Sequence, residues 1–374
     1  MNLESKLPKL PNTSGEYTAF KEKILILEDL IREGNYDRAR LLRDELRPLI
    51  ESTDVEHYTL SAYCRILNAK LLMVDRDHDA AYSILQDIYP ARLKDHIYVL
   101  FQYNTAFGLY YMYIHEHAKA VDYFEKSLPL MKQLGVKNVP IYHNLAACYT
   151  EIDRPIKAIV CFETTQDMAV KQNSYLANNM YDIDIAVNYT NLMQYKEAEG
   201  ILKNALSSAT SAFSSIHIAM AHQALGCVYR DTKKFDKAIE QFDKAASFFS
   251  KDSREYRSNL LDKSHTLIDA GRHSEANECI EYGLSIYKAN FIKRDDLHLL
   301  FQANAHVLNF PDQSSLNFIK KMTIPVLLEQ RKLLMGIRYC QFLVNFYISV
   351  NDTKNALTFS EKSNAFHKRF LSGG

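Results

Sequence analysis

Small side chains recur along this 374-residue chain at a nearly constant interval, and that recurrence constrains the fold more than any other feature. Alanine stands at Ala39, Ala81, Ala120, Ala158, Ala198, Ala238 and Ala276, gives way to Leu316, and returns at Ala356. Successive intervals are 42, 39, 38, 40, 40, 38, 40 and 40 residues. Such a period marks a chain made by stacking one supersecondary unit, because each copy leaves an apolar face that only its neighbour buries. Turn-forming residues fall inside each unit, at Gly34-Asn35, Asp75 to Asp79, Asp153-Arg154-Pro155, Asp231 to Lys234, Gly271 and Asn351-Asp352. Polar connectors such as Ser250 to Ser253 and Lys293 to Asp296 separate the units. Each unit therefore reads as helix A, a turn, helix B and a connector.

The clearest unit runs from Leu225 to Phe249 and places Leu225-Gly226, Tyr229, Phe235, Ala238, Phe242 and Ala245 at the spacings of the tetratricopeptide (TPR) pattern. Gly226 and Ala238 are small where the two helices of a hairpin touch, and Leu225, Tyr229 and Phe242 are expected to fill the space between hairpins. The same template fits Phe107-Gly108 with Tyr111 and Phe124, Leu145-Ala146 with Tyr149 and Phe162, and Ile185-Ala186 with Tyr189 and Leu202. The expected fold is all-α, a right-handed TPR-like superhelical solenoid of about nine helical hairpins. It should occupy residues 15–370 as one continuous repeat domain, after a flexible lead-in at 1–14 and before a fraying end at 371–374. Pro155 suits a first helical position, while Pro311 and Pro325 mark expected helix boundaries in the stretch 297–335, where the signature fades and helices should pack irregularly. The last unit, with Tyr347, Ala356 and Phe359, reads as a cap.

Composition narrows the function classes. Lys plus Arg and Asp plus Glu both total 45, so no net charge draws the chain to nucleic acid or acidic membranes. No apolar run reaches the ~18 residues of a spanning helix, and the opening segment lacks a secretory core, which predicts a cytoplasmic protein. Six singly scattered cysteines predict reduced, packed thiols. A phosphate loop, a nucleophile elbow, HExxH and clustered Cys/His ligands are all missing from the sequence, so neither catalysis nor a metal or other cofactor is expected. His115-Glu116-His117 falls in an expected turn, and adjacent residues there diverge.

Stacked hairpins expose an inner face of A helices, the default binding surface of such an array. With the Leu-Gly pair at positions 7 and 8 of a unit, positions 2, 5, 6, 9, 12 and 13 should face inward. They hold His143, Asn144, Ala147 and Thr150 in the fourth unit; Met180, Ile183, Asp184, Val187 and Asn191 in the fifth; Met220, Gln223, Cys227, Arg230 and Asp231 in the sixth; and Ser258, Asp262, His265 and Asp269 in the seventh. Amide, carboxylate and imidazole groups among small apolar ones suit a short linear peptide, since an amide side chain pairs with both a backbone N–H and a C=O. The excess of acids over Arg230 points to a peptide with a basic residue. The candidate site is Asn144, His143, Asp184, Met180, Gln223, Arg230, Asp262 and His265.

At Tyr142 to Tyr149, YHNLAACY, the chain resembles the RRNPP receptors of Gram-positive bacteria and their phages, the Rap- and NprR-like peptide-pheromone receptors. That family often carries an Asn just before the Leu-Gly pair, as Asn144 stands before Leu145-Ala146, and there it grips the peptide backbone. The long units and Tyr-rich helices are also similar across about residues 16–370. The resemblance implies a quorum-sensing receptor that relays peptide binding by conformational change, as a homodimer or through a partner protein. A regulator of the family has a helix-turn-helix ahead of its repeats, whereas here the repeats begin by about residue 16. A transcriptional output would thus use a DNA-binding module on another chain or a missing segment. A Rap-type phosphatase would bear a catalytic Gln near its start, and residues 16–50 contain none. The competing readings are a non-signalling TPR scaffold and, second, a response-regulator phosphatase.

Overall fold

The computed structural model describes residues 15–51, 58–136, 139–170, 175–207, 215–289, 295–310 and 312–371. The expected lead-in at 1–14, Pro311 and part of the connector at 293–294 lie outside them. Among the described residues the regular structure is entirely helical, and no helix is long and apolar enough to cross a membrane. The chain divides into two compact units, Met1–Cys148 and Tyr149–Gly374.

The first unit contains α1 (Gly15–Arg32), α2 (Tyr36–Glu45), α3 (Arg47–Glu51), α4 (Tyr58–Val74), α5 (His78–Gln86), α6 (Ile97–Tyr113) and α7 (His117–Leu134); the division falls within α8 (Val139–Glu151). Here α1 packs on α2, α4 on α5 and α6 on α7. Pro48 lacks an N–H and its ring crowds the carbonyl four residues back, at Asp44, and the helix after the first turn breaks at Leu46 into α2 and α3.

The second unit contains α9 (Pro155–Val170), α10 (Tyr175–Asn191), α11 (Tyr195–Ser207), α12 (Ser215–Asp231), α13 (Phe235–Phe248), α14 (Arg254–Asp269), α15 (His273–Ala289) and α16 (Asp296–Leu308). It continues through α17 (Gln313–Phe318), a π turn (Ile319–Thr323), α18 (Ile324–Glu329), α19 (Leu333–Ser349) and α20 (Thr353–Leu371). The pairs α10–α11, α12–α13, α14–α15 and α19–α20 are antiparallel neighbours in sequence, as a TPR-like array requires.

One turn geometry explains the period. Gly34, Arg76, His115, Asp153, Met193, Lys233, Gly271 and Asn351 all have positive φ, and each stands five residues before the small residue of its unit. The next N–H reaches back five residues, for example Lys234 to Tyr229 O at 2.8 Å and Arg272 to Leu267 O at 2.9 Å. This left-handed cap uses up helix A's last carbonyls and starts helix B. Only Gly34 and Gly271 take the conformation without the ~1 kcal/mol that it costs an L side chain. In the eighth unit the position falls on Pro311, whose ring forbids positive φ, and there the signature fades.

The small residues do what the spacing predicts. Ala39, Ala81, Ala120, Ala158, Ala198, Ala238 and Ala276 are fully buried, and Leu316 and Ala356 are buried too. Phe242 differs from expectation: its ring lies within its own hairpin, against Gly226, where an added Cβ would stand 2.7 Å from the ring. Phe124 faces Gly108 in the same way, at 2.6 Å. The boundary expected at Pro325 is present as a change of helix type, since the π turn ends at Thr323 and α18 starts at Ile324 with Pro325 in its first turn. The rod passes through the π turn, with Ile324 N–H donating to Ile319 O, and the widened turn makes room for a residue that lacks an N–H and crowds the preceding carbonyl. None of the six cysteines forms a disulfide.

Candidate functional site

A cleft of about 430 Å³ opens within the second unit between α10, α12 and α14. On α12 its lining is Met220, Gln223, Ala224, Cys227, Arg230 and Asp231, the full set of positions 2, 5, 6, 9, 12 and 13. Steps of three and four residues place these side chains on one helical face. From α10 come Ile183, Asp184, Val187, Thr190 and Asn191, and from α14 come Ser258 and Asp262. A second lobe of about 210 Å³ shares Arg230, Asp231 and Asp262 and adds His265, Tyr195 and Arg338.

Of the residues singled out in the sequence, Asp184, Gln223, Arg230, Asp262 and His265 thus stand together. His143 and Asn144 lie on α8 in the first unit, both half-buried. Met180 lies on α10, but its side chain is outside the described residues.

Hydrogen bonds between neighbouring A helices order the lining. Gln223 Nε2 donates to Asp262 Oδ2 at 2.9 Å, and Arg230 Nη1 donates to Asp262 Oδ1 at 3.1 Å while its Nε reaches Asp231 at 2.8 Å. Asn188 Nδ2 ties α10 to Thr150 Oγ1 at 2.8 Å. Asp184 is the exception. Its carboxylate lines the cleft with no ion pair or hydrogen bond to it among the described residues, and burial pushes its pKa up to about 7. The Cys227 thiol is held well above its ordinary value by burial, then by the Asp262 charge, and so is a poor nucleophile.

The third wall has no local signature in the sequence. Leu334 and Met335 of α19 line both lobes, and Arg338 lines the second. Leu334 N–H donates to Asp153 Oδ2 at 2.9 Å across 181 residues of sequence, linking the start of α19 to the turn before α9. Lys332 Nζ lies 2.8 Å from Asp296 and 3.4 Å from Glu151, and Arg254 joins Asp296 at 2.7 Å. Burial pushes the Asp153 carboxyl up to about 6, against the Leu334 N–H and the Lys332 charge. For Asp296 burial acts in the same direction, yet the Lys332 and Arg254 charges outweigh it and hold the carboxyl well below its ordinary range. Arg338 forks onto Asp269 at 3.1 and 2.8 Å, fixing α19 against α14. The expected cap is therefore also a wall of the cleft.

His265 is 1% exposed, and by distance and angle neither ring nitrogen makes a hydrogen bond among the described residues. Burial and then the Arg338 and Arg230 charges drive its pKa well below the ordinary value, against a hydrogen-bonding pull from the Asn304 side chain, so the ring is neutral. Among the described residues no three His, Cys, Asp or Glu side chains gather as a metal-binding group.

A family model for the tetratricopeptide repeat matches residues 220–251, the α12–α13 hairpin. No curated protein sequence matches the chain. Among solved structures, NprR in complex with its cognate peptide NprX is similar with a TM-score of 0.74 at 18% identity, over 94% of this chain and 98% of that one. A Rap protein complexed with Competence and Sporulation Factor is similar with a TM-score of 0.75 at 16% identity, over 96% and 100%. Aspartyl phosphate phosphatase F from Bacillus subtilis follows at 0.58 and 15%, over 97% of each chain. At these identities the shared property is the TPR-like all-α fold.

Proposed function

We propose that this chain is a receptor for a short signalling peptide, that a basic residue of the peptide pairs with Asp184 in the second unit's cleft, and that occupancy is relayed by conformational change to a partner protein or a transcriptional output. The observation that carries the reading is the unpaired Asp184 carboxylate. A half-buried anion that costs the folded chain stability and makes no internal pair is explained by a cation arriving from outside. The rest of the lining suits a peptide as well: Gln223 and Asn191 offer amides, and Ile183, Val187 and Met220 offer apolar contact. The likeness in fold to NprR with NprX bound supports the same reading. Asn144, in the first unit, is proposed as a ligand of the peptide backbone on the strength of the family resemblance. The relay requires the peptide to bind one state of the receptor better than another, and the ties holding α19 are contacts that such a preference would bias.

The test is retention of peptides from a randomised pentapeptide pool, followed by calorimetry on those retained. Peptides containing Lys or Arg should bind with Kd on the order of micromolar or tighter. Asp184→Asn and Asn144→Ala should each weaken binding at least ~10-fold, about 1.4 kcal/mol. An unchanged affinity removes that residue from the site. Retention of a folded protein but of no peptide would make the chain a scaffold instead.

A further inference from the structure

The second lobe differs from the first in what it leaves unmet. Around His265 every formal charge already has a partner within the protein: Arg230 sits between Asp231 and Asp262, and Arg338 forks onto Asp269. Its buried polar neighbours are also committed, while Asn191 and Tyr195, which line the lobe too, are half-buried. Asn304 Nδ2 donates to Ser264 Oγ at 3.0 Å, its Oδ1 accepts from Tyr339 at 2.9 Å, and Thr190 Oγ1 donates to Ala186 O at 2.9 Å. Among the buried groups of the lobe, what remains is a neutral imidazole, which has one N–H to donate and one lone pair to accept with, held almost wholly out of water. Buried polar groups are rarely left in that condition.

Resting on the peptide reading above, we propose that the lobe lined by His265 is a specificity subsite for a neutral side chain that both donates and accepts a hydrogen bond, a carboxamide or a hydroxyl. An ionised side chain would find no counter-charge there that is not already engaged. An apolar one would leave both ring nitrogens as they are. A carboxamide or hydroxyl meets both at once, and sites built to hydrogen-bond a ligand group discriminate strongly against analogues that lack it. As the cleft stands, the ring nitrogens are shielded from solvent, and the adjoining wall is Met335 and Arg338 of α19. Met335 is half-buried and unbranched, so it can swing aside for the incoming group.

The experiment uses the full chain and the randomised pentapeptide pool, with retained peptides sequenced by mass spectrometry. The expected result is about tenfold enrichment of Asn or Gln, or of Ser or Thr, at one peptide position, the sequences telling carboxamide from hydroxyl. His265→Phe should abolish that enrichment while Lys and Arg stay enriched at another position. Should the variant fail to fold, the wild-type chain decides: replacing the enriched residue of a retained peptide by Leu should weaken binding at least ~10-fold, about 1.4 kcal/mol. Retention without any such polar preference, a preference for a charged residue at that position, or a preference that survives in His265→Phe overturns the subsite alone. Retention of no peptide by the wild-type chain overturns the receptor reading and the subsite together.

Discussion

Between α12 and α13 every local rule agrees, whereas from α16 to α20 several are broken. The first hairpin has its glycine under a phenylalanine, its buried Ala238 and a left-handed residue at Lys233, and it presents six cleft residues from one helical face. The second stretch has Pro311 where the left-handed residue should stand, a π turn before Pro325, and a further turn of the regular type at Arg331. That extra turn makes α19 follow α18 directly and points its first residues back at Asp153. Regular hairpins space the binding face at fixed intervals, and the irregular ones supply a wall that a strictly periodic array would lack.

If that wall is held electrostatically, its anchor should be the most sensitive point of the second unit. Lys332 bridges Asp296 and Glu151, and the Asp296 side chain is only 6% exposed. Lys332→Met keeps the aliphatic stem but leaves Asp296 with Arg254 as its one cation among the described residues. The expected loss is about 3 kcal/mol, the lower end for breaking a buried pair, read as an unfolding midpoint in urea. Arg32→Met removes an exposed pair with Asp29 and should leave the midpoint where it was. Equal effects for the two variants would mean that the wall rests on packing rather than charge.

Much of this was legible in advance, and the reasons differ by region. The spacing of small residues predicts the hairpins because it is a local steric demand repeated in each unit. The inward positions on α10, α12 and α14 were legible because a helix has a fixed angular period, which brings Asp184, Gln223, Arg230 and Asp262 to the cleft. The role of Leu334, Met335 and Arg338 was not, because it depends on a contact across 181 residues that no local pattern encodes. Phe242 was expected between hairpins because periodicity gives the face of a residue but not the partner its ring chooses. The isolation of Asp184 and His265 was equally hidden, since sequence names polar groups without showing which are left over after the others pair.

The regular hairpin can be probed through its glycine. A methyl at Gly226 would stand 2.7 Å from the Phe242 ring, and the ring, fully buried, has little room to retreat. Gly226→Ala should therefore cost about 2 kcal/mol, despite alanine's better helix propensity, through forced repacking of α12 against α13. Gly200 on α11 has open space at the same distance, and Gly200→Ala should instead stabilise by roughly 0.5–1 kcal/mol. Thermal melts of the two variants should move in opposite directions; a shared direction would show that close approach is not what the glycine serves.

The last effect concerns the cleft itself, and its sign runs against that of most substitutions. Asp184 holds its proton up to about pH 7 in the folded chain, against an ordinary value of 3.8. Between those values the folded state binds more protons than the unfolded one, so stability falls as pH rises from about 4 to 7 and is level above. Asp153, raised to about 6, contributes in the same direction but stops one unit lower. Asp184→Asn should remove the part of the fall that belongs to the cleft, making the variant more stable than wild type by about 2 kcal/mol at pH 8. That is roughly half of what the full shift would carry at ~1.4 kcal/mol per unit, because the carboxylate is partly exposed to solvent. The two proteins should converge near pH 4, where both carry a neutral side chain at 184. Stability that is equal at pH 8 would mean that the carboxylate finds compensation within the folded chain, and the case for an external cation would lose its physical basis.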